Sequence, residues 1–312
     1  MTNPSVSLII PVYNGGIPFQ NCVKSVLEIQ YPPDKLQVIL VDDCSTDGTF
    51  DWLKAQSLPS YIIIVHHGDN RGRAAARNSG IMQATGEILI FIDGDMCVSK
   101  DFIQSHINAL NKDSVVAVAG RIIADPRMKR TRVNRYLFEY SKRGAKQFGE
   151  HIPISFQYLL TGNMAINRDA LEAAGSFDEN MIGYGGEDTL FAYKIWKAFP
   201  QGIRYCASAI TTHQQNDNLD ELLKKAYHYG KFNLPRLLDE YPDMTEALRG
   251  DFLVGNSPKK RMTDFLCNPL FKMVVRIKYW IMPYPLSNWV IRYLLMCATR
   301  DGFTHRLESG IK

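Results

Sequence analysis

Hydrophobic residues form short, unbroken runs in the N-terminal third of the chain, and helical patterns separate these runs. The apolar runs lie at residues 6–12 (VSLIIPV), 36–41 (LQVILV), 61–65 (YIIIV) and 87–92 (EILIFI). Runs of this kind are typical of strands that are buried on both faces of a parallel sheet. Helices are predicted between them, at residues 18–29, 49–56 and 73–84. This alternation predicts right-handed βαβ units and a mostly parallel sheet.

The pattern is less regular farther along the chain. A further strand is predicted at residues 115–123, and helices are predicted at residues 171–175, 189–198 and 219–239. Beyond about residue 255, long apolar stretches are interrupted by Lys, Arg, Pro and Trp. We therefore predict an α/β domain at residues 1–215 and a helical C-terminal extension at residues 216–312.

The composition limits the possible classes of function. Hydrophobic residues make up 46% of the 312 positions and charged residues 22%, and the net charge of +4 is too small to indicate nucleic-acid binding. The six cysteines are scattered without CxxC spacing, so we expect free thiols rather than a zinc site. The sequence shows neither a signal-peptide pattern nor about 18 consecutive apolar residues, so no secretion signal or spanning helix is predicted.

Acidic residues follow two of the apolar runs. In a parallel sheet, ligands bind beyond the carboxyl ends of the strands. Asp42 and Asp43 stand at the end of the second run, where they could cap a helix or accept hydrogen bonds from a nucleotide. Asp93, Gly94 and Asp95 follow the fourth run. Their carboxylates suit Mg²⁺ or Mn²⁺, and a cation there would neutralise charge on a diphosphate leaving group.

A third acidic cluster, GYGGED, ends at Glu187 and Asp188, just ahead of a predicted helix. Asp188 is either the cap of that helix or a base close to a reacting hydroxyl. His213 lies farther along, after an apolar stretch. A lone histidine is usually structural, but Mn²⁺ can accept one imidazole together with carboxylates.

These segments together resemble the inverting glycosyltransferases of family 2, which adopt the GT-A fold. The resemblance spans residues 4–215 and rests on four ordered blocks: VSLIIPVYNGG, LQVILVDDCSTDGT, NRGRAAARNSGIMQATGEILIFIDGDM and TGNMAINRDALEAAGSFDENMIGYGGEDTLFAYKI. The last block, followed by His213, is similar to chondroitin-polymerase-type and β-galactosyltransferase-type modules. The resemblance implies a Rossmann-like, mostly parallel GT-A sheet flanked by helices.

The resemblance also implies roles for individual residues. Pro11 and Tyr13 would line a uracil pocket, and Asp43 would bind the base. The residues expected to contact the UDP-sugar donor are Pro11, Tyr13, Asp43, Arg73, Arg77, Asp93, Gly94, Gly162 and Asn163. The residues expected to hold Mn²⁺ or Mg²⁺ are Asp93, Asp95 and His213. Glu187 and Asp188 would position the acceptor, with Asp188 the expected general base.

The implied reaction is a single displacement that inverts the anomeric carbon. It would move a hexose or N-acetylhexosamine from a UDP-sugar to a hydroxyl of a glycan or a lipid-linked saccharide. The QxxRW motif of processive polysaccharide synthases is absent from the sequence, which favours the addition of one sugar. Two alternatives remain: a nucleotidyltransferase, which would need a glycine-rich, lysine-bearing phosphate loop near the N-terminus, and an inactive sugar-binding module.

Two basic regions need a separate interpretation. Residues 127–146 carry eight Arg or Lys side chains, which form either a solvated face or a contact for an anionic acceptor. Residues 259–300 mix basic side chains with Phe, Leu and Trp. Such a segment contacts a membrane surface, packs on the catalytic domain or forms a dimer. We expect a cytoplasmic protein that contacts the inner face of a membrane through this region.

Overall fold

The computed structural model describes residues 3–181 and 183–309, and these residues contain a mixed sheet of eight strands. In chain order the strands are β1 Val6–Val12, β2 Leu36–Asp42, β3 Ile62–His66, β4 Ile88–Ile92, β5 Met96–Val98, β6 Ala117–Ala124, β7 Asn163–Asn167 and β8 Ile203–His213. The four apolar runs of the N-terminal third all form strands, as predicted.

The parallel half of the sheet is built from the first four strands. β1 pairs in parallel with both β2 and β4, and β2 pairs in parallel with β3. Beyond β4 the order continues β7, β6, β8 and β5. There β7 is antiparallel to β4 and β6, β5 is antiparallel to β8, and β6 is parallel to β8. The predicted α/β sheet is confirmed, with antiparallel pairings confined to one half.

Helices flank the sheet and make up most of the C-terminal region. In chain order the helices are α1 Gly16–Leu27, α2 Thr49–Lys54, α3 Gly72–Gln83, α4 Phe102–Leu110, α5 Arg132–Asn134, α6 Arg168–Ala174, α7 Glu187–Ala198, α8 Leu219–Lys231, α9 Asn233–Glu240, α10 Pro258–Leu266, α11 Pro269–Ile281 and α12 Ser287–Ser309. None of the helices described here combines the length and the hydropathy that crossing a bilayer requires.

The chain folds into two compact units. The first unit contains the whole sheet and comprises residues 1–128, 141–179 and 187–215. The second unit is helical and comprises residues 129–140, 180–186 and 216–312. It therefore includes two short segments that the sequence pattern placed in the α/β domain.

The core of the first unit explains why its strands are unbroken apolar runs. Side chains from β1, β2 and β4 are almost fully buried together with side chains from α1, including Leu8, Ile10, Val38, Leu40, Ile90, Phe19 and Val23. Because both faces of these strands are covered, neither face needs polar side chains. Polar side chains that could contact a ligand are therefore found where these strands end.

α8, in the second unit, has a well-defined start. The side chain of Asn218 accepts the N–H of Glu221 at 2.9 Å, and the carboxylate of Glu221 accepts the N–H of Asn218 at 3.1 Å, which is a capping box. Residues 219–239 are helical as predicted, but they form two helices, α8 and α9, which meet at Phe232. Pro235 has no N–H with which to continue the hydrogen-bond ladder of α8.

Candidate active site

Three segments predicted to bind a nucleotide lie side by side at the carboxyl ends of the parallel strands. The N–H of Asp43 donates to the carbonyl oxygen of Val12 at 2.8 Å. A β-carbon added to Gly94 would lie 3.0 Å from the carbonyl oxygen of Pro11, so the turn after β4 contacts the end of β1. Tyr13 follows that end and is 51% exposed, so its ring is available to a ligand.

Asp43 organises the loop that leads into α3. Its Oδ1 accepts the N–H of Arg71 at 2.9 Å and lies 2.7 Å from Nδ1 of His67, and its Oδ2 accepts the N–H of Gly72 at 2.8 Å. Nε2 of His67 lies 2.9 Å from the hydroxyl of Ser79, so the histidine connects the loop to α3. These contacts hold the start of α3 in place, and the binding of a base by Asp43 stays a prediction.

Asp42 offers a second acceptor beside Asp43, although the family resemblance assigned the base to Asp43 alone. Its Oδ2 accepts the N–H of Ser45 at 3.1 Å and lies 2.9 Å from Nδ1 of His66. Its Oδ1 is buried and has no hydrogen-bond partner among the described residues. Buried carboxylate oxygens are rarely left unpaired, so Oδ1 is a second candidate for hydrogen bonding to a ligand. The position of Asp42 at a strand end was the available signal.

Asp95 and His213 are brought together by strand pairing. The antiparallel register of β5 and β8 sets His213 opposite Met96, the residue that follows Asp95. Nε2 of His213 lies 3.3 Å from Oδ2 of Asp95, and Nδ1 lies 3.0 Å from the carbonyl oxygen of Gln215. Oδ1 of Asp95 is buried without a hydrogen-bond partner among the described residues. Desolvation acts to raise the pKa of Asp95, but His213 and the charge of Arg73 hold that pKa below its usual range.

Arg77 connects two acidic clusters that are far apart in sequence. Its Nη2 donates to Oδ1 of Asp93 at 3.0 Å, and its Nη1 donates to Oε1 of Glu187 at 3.1 Å. The side chain is only 2% exposed. Burial acts to lower the pKa of Arg77, but the charges of Asp93, Glu187 and Asp188 raise it, so the cation is well compensated. Arg77 therefore joins the two acidic clusters, and its predicted contact with the donor stays a prediction.

Asp188 has an unusual affinity for protons. Desolvation first, and then the charge of Glu187, raise the pKa of Asp188 to about 6, although Arg77 opposes this rise. Its Oδ1 accepts the N–H of Thr189 at 2.8 Å. Asp188 as a whole residue is partly exposed to solvent, whereas Glu187 is buried. A carboxylate with this pKa is suited to take a proton near neutral pH.

A glycine turn sets the start of α7, the helix that carries both acids. Gly183, Gly185 and Gly186 all have positive φ angles. Gly186 has φ of +103°, and a β-carbon there would lie 2.8 Å from Cβ of Asn233. Only glycine fits such a position without displacing its neighbour. The GYGG segment is therefore a backbone device that ends where Glu187 begins the helix.

Asn163 and Gly162 have different environments. The Asn163 side chain is buried: its Oδ1 lies 2.9 Å from Nε2 of His106, and its amide donates to the carbonyl oxygen of Ala209 at 2.9 Å. These contacts stabilise the sheet, and they give no support to a donor contact by this side chain. A β-carbon on Gly162 would lie 3.1 Å from Oδ2 of Asp93, so Gly162 borders the acidic cluster.

Four of the eight basic side chains at residues 127–146 have partners within the protein, as the following contacts show. Arg127 bonds to Asp125, both in the first unit. In the second unit, Arg130 and Arg135 bond to Glu139, and Arg132 donates to the carbonyl oxygens of Met282 and Trp280. Part of this segment lines a cavity of about 910 Å³ within the second unit, together with residues of α8 and α11. These arginines act as structural cations, and their contact with an acceptor stays a prediction.

The segments that form the candidate site lie largely within a region that matches a known protein family. Residues 7–175 match the family model described as "Glycosyl transferase family 2". The glycosyltransferase AglE of Haloferax volcanii is 28% identical over 232 residues, which cover 74% of this chain and 73% of AglE. The uncharacterized glycosyltransferase YfnE of Bacillus subtilis is 25% identical, with 87% of this chain and 83% of YfnE covered.

Solved structures share the fold. A mannosyltransferase from Pyrobaculum calidifontis, in complex with GDP-Man and Mn²⁺, aligns with a TM-score of 0.61 at 21% identity and covers 99% of this chain and 88% of its own. Residues 1–349 of TarS from S. aureus, in complex with UDP-GlcNAc, align with a TM-score of 0.54 at 16% identity. The alignment covers 98% of this chain and 92% of the TarS chain. The predicted GT-A fold is therefore confirmed.

Proposed function

The chain belongs to glycosyl transferase family 2 and is a glycosyltransferase, and from this premise we propose that it moves one hexose or N-acetylhexosamine from a UDP-sugar to an acceptor hydroxyl. The reaction would be a single displacement, which inverts the anomeric carbon. The acceptor would be a hydroxyl of a glycan or a lipid-linked saccharide. We also propose that the enzyme works at the inner face of a membrane.

The observation that carries this proposal is the Arg77 cluster. The hydrogen bonds of Arg77 to Asp93 and Glu187, at 3.0 and 3.1 Å, bring the DGD turn and the first residue of α7 together within the first unit. A donor diphosphate beside the DGD turn would thus lie close to an acceptor held by Glu187 and Asp188. Such proximity of two substrates can supply a large part of a rate enhancement.

Asp188 is the better candidate for the general base. The carboxylate of Glu187 is buried and held by Arg77, which leaves it suited to orienting groups rather than moving protons. Asp188 is partly exposed, and its pKa is raised to about 6. It would accept the proton of the acceptor hydroxyl as the oxygen attacks the anomeric carbon, and UDP would leave from the opposite face.

Asp95 and His213 fit a divalent cation. Nδ1 of His213 faces a carbonyl oxygen, which can only accept, so Nδ1 carries a proton. Nε2 then faces Oδ2 of Asp95 at 3.3 Å, and either a second proton or a shared cation is needed between these electron-rich atoms. The described residues contain no group of three His, Cys, Asp or Glu side chains that could hold a metal, so donor oxygens and water would complete the shell.

The proposed cation is Mn²⁺ or Mg²⁺, of which Mn²⁺ accepts imidazole nitrogen more readily. When bound, it would neutralise charge that develops on the leaving diphosphate. Asp95 and His213 would hold it, and Asp93 would be a third contact only if its Oδ2 turned to it, because Arg77 engages Oδ1. Pro11, Tyr13 and Arg73 would contact the nucleotide, with Asp42 or Asp43 as acceptor for the base.

The test of this proposal is the release of UDP from a panel of UDP-sugars and acceptor glycans, with Mn²⁺, with Mg²⁺ and with a chelator. The wild type should release UDP in the presence of an acceptor and lose this activity with the chelator. Asp188→Asn should bind UDP normally but turn over roughly 10²-fold more slowly or worse.

The matched control is Asp169→Asn, which changes an exposed aspartate in the first turn of α6. That variant should retain wild-type turnover. Near-normal turnover of Asp188→Asn would remove Asp188 from the role of base, and activity that survives the chelator would remove the metal from the proposal.

A further inference from the structure

Helix α11 exposes an apolar stripe, which we define as Leu270, Met273, Val274, Ile277, Trp280 and Ile281. The spacing of three and four residues places these side chains on one face of the helix. Their exposed fractions range from 42% to 73%. An exposed apolar surface that continues along a whole helix is unusual for a soluble protein and indicates an interaction site.

The opposite face of α11 already supplies the packing that the helix needs. Tyr279 is 6% exposed and packs in a core with Val290, Ile291 and Leu294 of α12. Val275 packs against the same core. The apolar stripe is therefore additional to the core of the second unit, and folding of this unit alone does not account for it.

Every charged residue of α11 is basic, although Lys272 bonds to Asp301. From residue 265 to residue 300 the sequence contains no Asp or Glu but five basic residues, Lys272, Arg276, Lys278, Arg292 and Arg300. At 100° per residue, Arg276 and Lys278 lie on the two sides of the stripe. Both are exposed, and Arg276 also bonds to Asp220. Basic side chains beside an apolar helix face are typical of helices that lie on anionic membranes.

Neighbouring elements add side chains of the same kind. On α10, Met262 and Phe265 are 51% and 75% exposed, and they are three residues apart, so they share a face. At the start of α12, Trp289 is 70% exposed, and the guanidinium of Arg292 lies 5.7 Å from the centre of its ring. Exposed tryptophan is favoured at the boundary between lipid and water because its ring is apolar and its N–H is polar.

We propose that the apolar stripe of α11 docks on the surface of a bilayer that contains anionic phospholipids. The helix would lie in the plane of the interface, with the stripe among the acyl chains and Arg276 and Lys278 reaching the phosphates. A second copy of the chain suits this surface less well, because a symmetric contact would bring two basic faces together. This proposal rests on the membrane location proposed above, for which it names the surface and the lipid class, and it does not depend on the proposed transfer reaction.

The test is sedimentation of the full chain with vesicles of phosphatidylcholine alone and of phosphatidylcholine mixed with phosphatidylglycerol. The wild type should partition into the anionic vesicles, and less so at high salt. The double variant Ile277→Gln/Trp280→Gln should partition at least roughly tenfold more weakly. Lys278→Gln should weaken partition by about fivefold, since each basic residue near an anionic surface contributes by that order.

Two matched control variants show whether the loss of partition is specific to the stripe or follows from any Gln substitution of an exposed residue. Met82→Gln changes a residue of α3 that is 75% exposed, and Lys112→Gln changes an exposed lysine of the first unit. Both should partition like the wild type, and all variants should retain the wild-type circular dichroism. Equal partition of the wild type and the double variant, or no partition of the wild type into anionic vesicles, would overturn the proposal. So would a dimer in solution that the double variant abolishes while vesicles leave the wild type unbound.

Discussion

The carboxyl ends of the parallel strands in the first unit bury a charge, whereas helix α11 in the second unit exposes apolar side chains. At the strand ends, the cation of Arg77 is 2% exposed and bonds to two carboxylates. On α11, Trp280 and Ile281 are each 73% exposed. Soluble proteins ordinarily bury apolar side chains and expose charged ones.

Each of these unusual environments needs its own compensation. A buried cation is tolerated because Asp93 and Glu187 neutralise it within hydrogen-bond distance. Among the described residues of the second unit, the exposed apolar stripe packs against no such partner, and the proposed anionic bilayer would cover it. Function is expected where a protein buries a charge or exposes apolar side chains although its own stability does not require it. A change at Arg77 should therefore lower the free energy of unfolding, whereas a change in the stripe should leave it almost unaltered and weaken binding to a partner.

The largest effect is expected when the buried cation is removed. Arg77→Met would leave Glu187 and Asp93 without their counter-charge, and breaking a buried pair from one side costs about 3–5 kcal/mol. Chemical denaturation should show a loss of unfolding free energy of that order. Arg121→Met, which changes an exposed arginine of β6, should cost less than about 0.5 kcal/mol. A similar loss in both variants would mean that the Arg77 cluster does not stabilise the site.

A smaller effect is expected for the proposed cation site. Asp95→Ala and His213→Ala should each weaken Mn²⁺-dependent binding of UDP by roughly 10- to 100-fold, the loss that even outer contacts of a metal can cause. Calorimetric titration of UDP with and without Mn²⁺ measures this change. Asp101→Ala, at an exposed position just before α4, is the control. Unaltered affinity in both site variants would show that the two side chains do not hold the cation.

The smallest effect is expected on the stripe, and it sharpens the contrast most. Ile277→Ala should change the free energy of unfolding by less than about 0.5 kcal/mol, because this side chain is 54% exposed. Ile291→Ala, on the packed side of the same unit, should cost about 2–5 kcal/mol because Ile291 is fully buried. Thermal or urea unfolding of both variants tests this. A large loss for Ile277→Ala would mean that the stripe is part of the core.

The fold could be predicted from the sequence where burial makes the pattern simple. β1, β2 and β4 are covered on both faces, so each is an apolar run that can be recognised without a partner. β7 and β8 escaped prediction because polar residues such as Asn163 and Thr211 lie within them, and their buried polar groups are satisfied by each other. A pattern of apolar positions cannot reveal that kind of compensation.

The site could be predicted only in part, for a related reason. Local motifs indicated the acids, but they could not show that Arg77 bonds to Glu187, 110 residues away in sequence. Likewise, the contact between Asp95 and His213 follows from the pairing of β5 with β8, and a strand of three residues gives no readable signal. The tail was recognised as basic and amphipathic, but which face of α11 is exposed required the packing of Tyr279 to be known.

The most direct test of the central claim is the pH dependence of turnover at saturating UDP-sugar, acceptor and Mn²⁺. The pKa of Asp188 is raised to about 6, so the carboxyl is protonated below that pH and cannot accept a proton from the acceptor. The account predicts a rate that is level above about pH 7 and falls about tenfold per unit of pH below 6, while UDP binding at each pH is measured in parallel. A turnover that stays level from pH 5 to pH 8 with binding intact would contradict it.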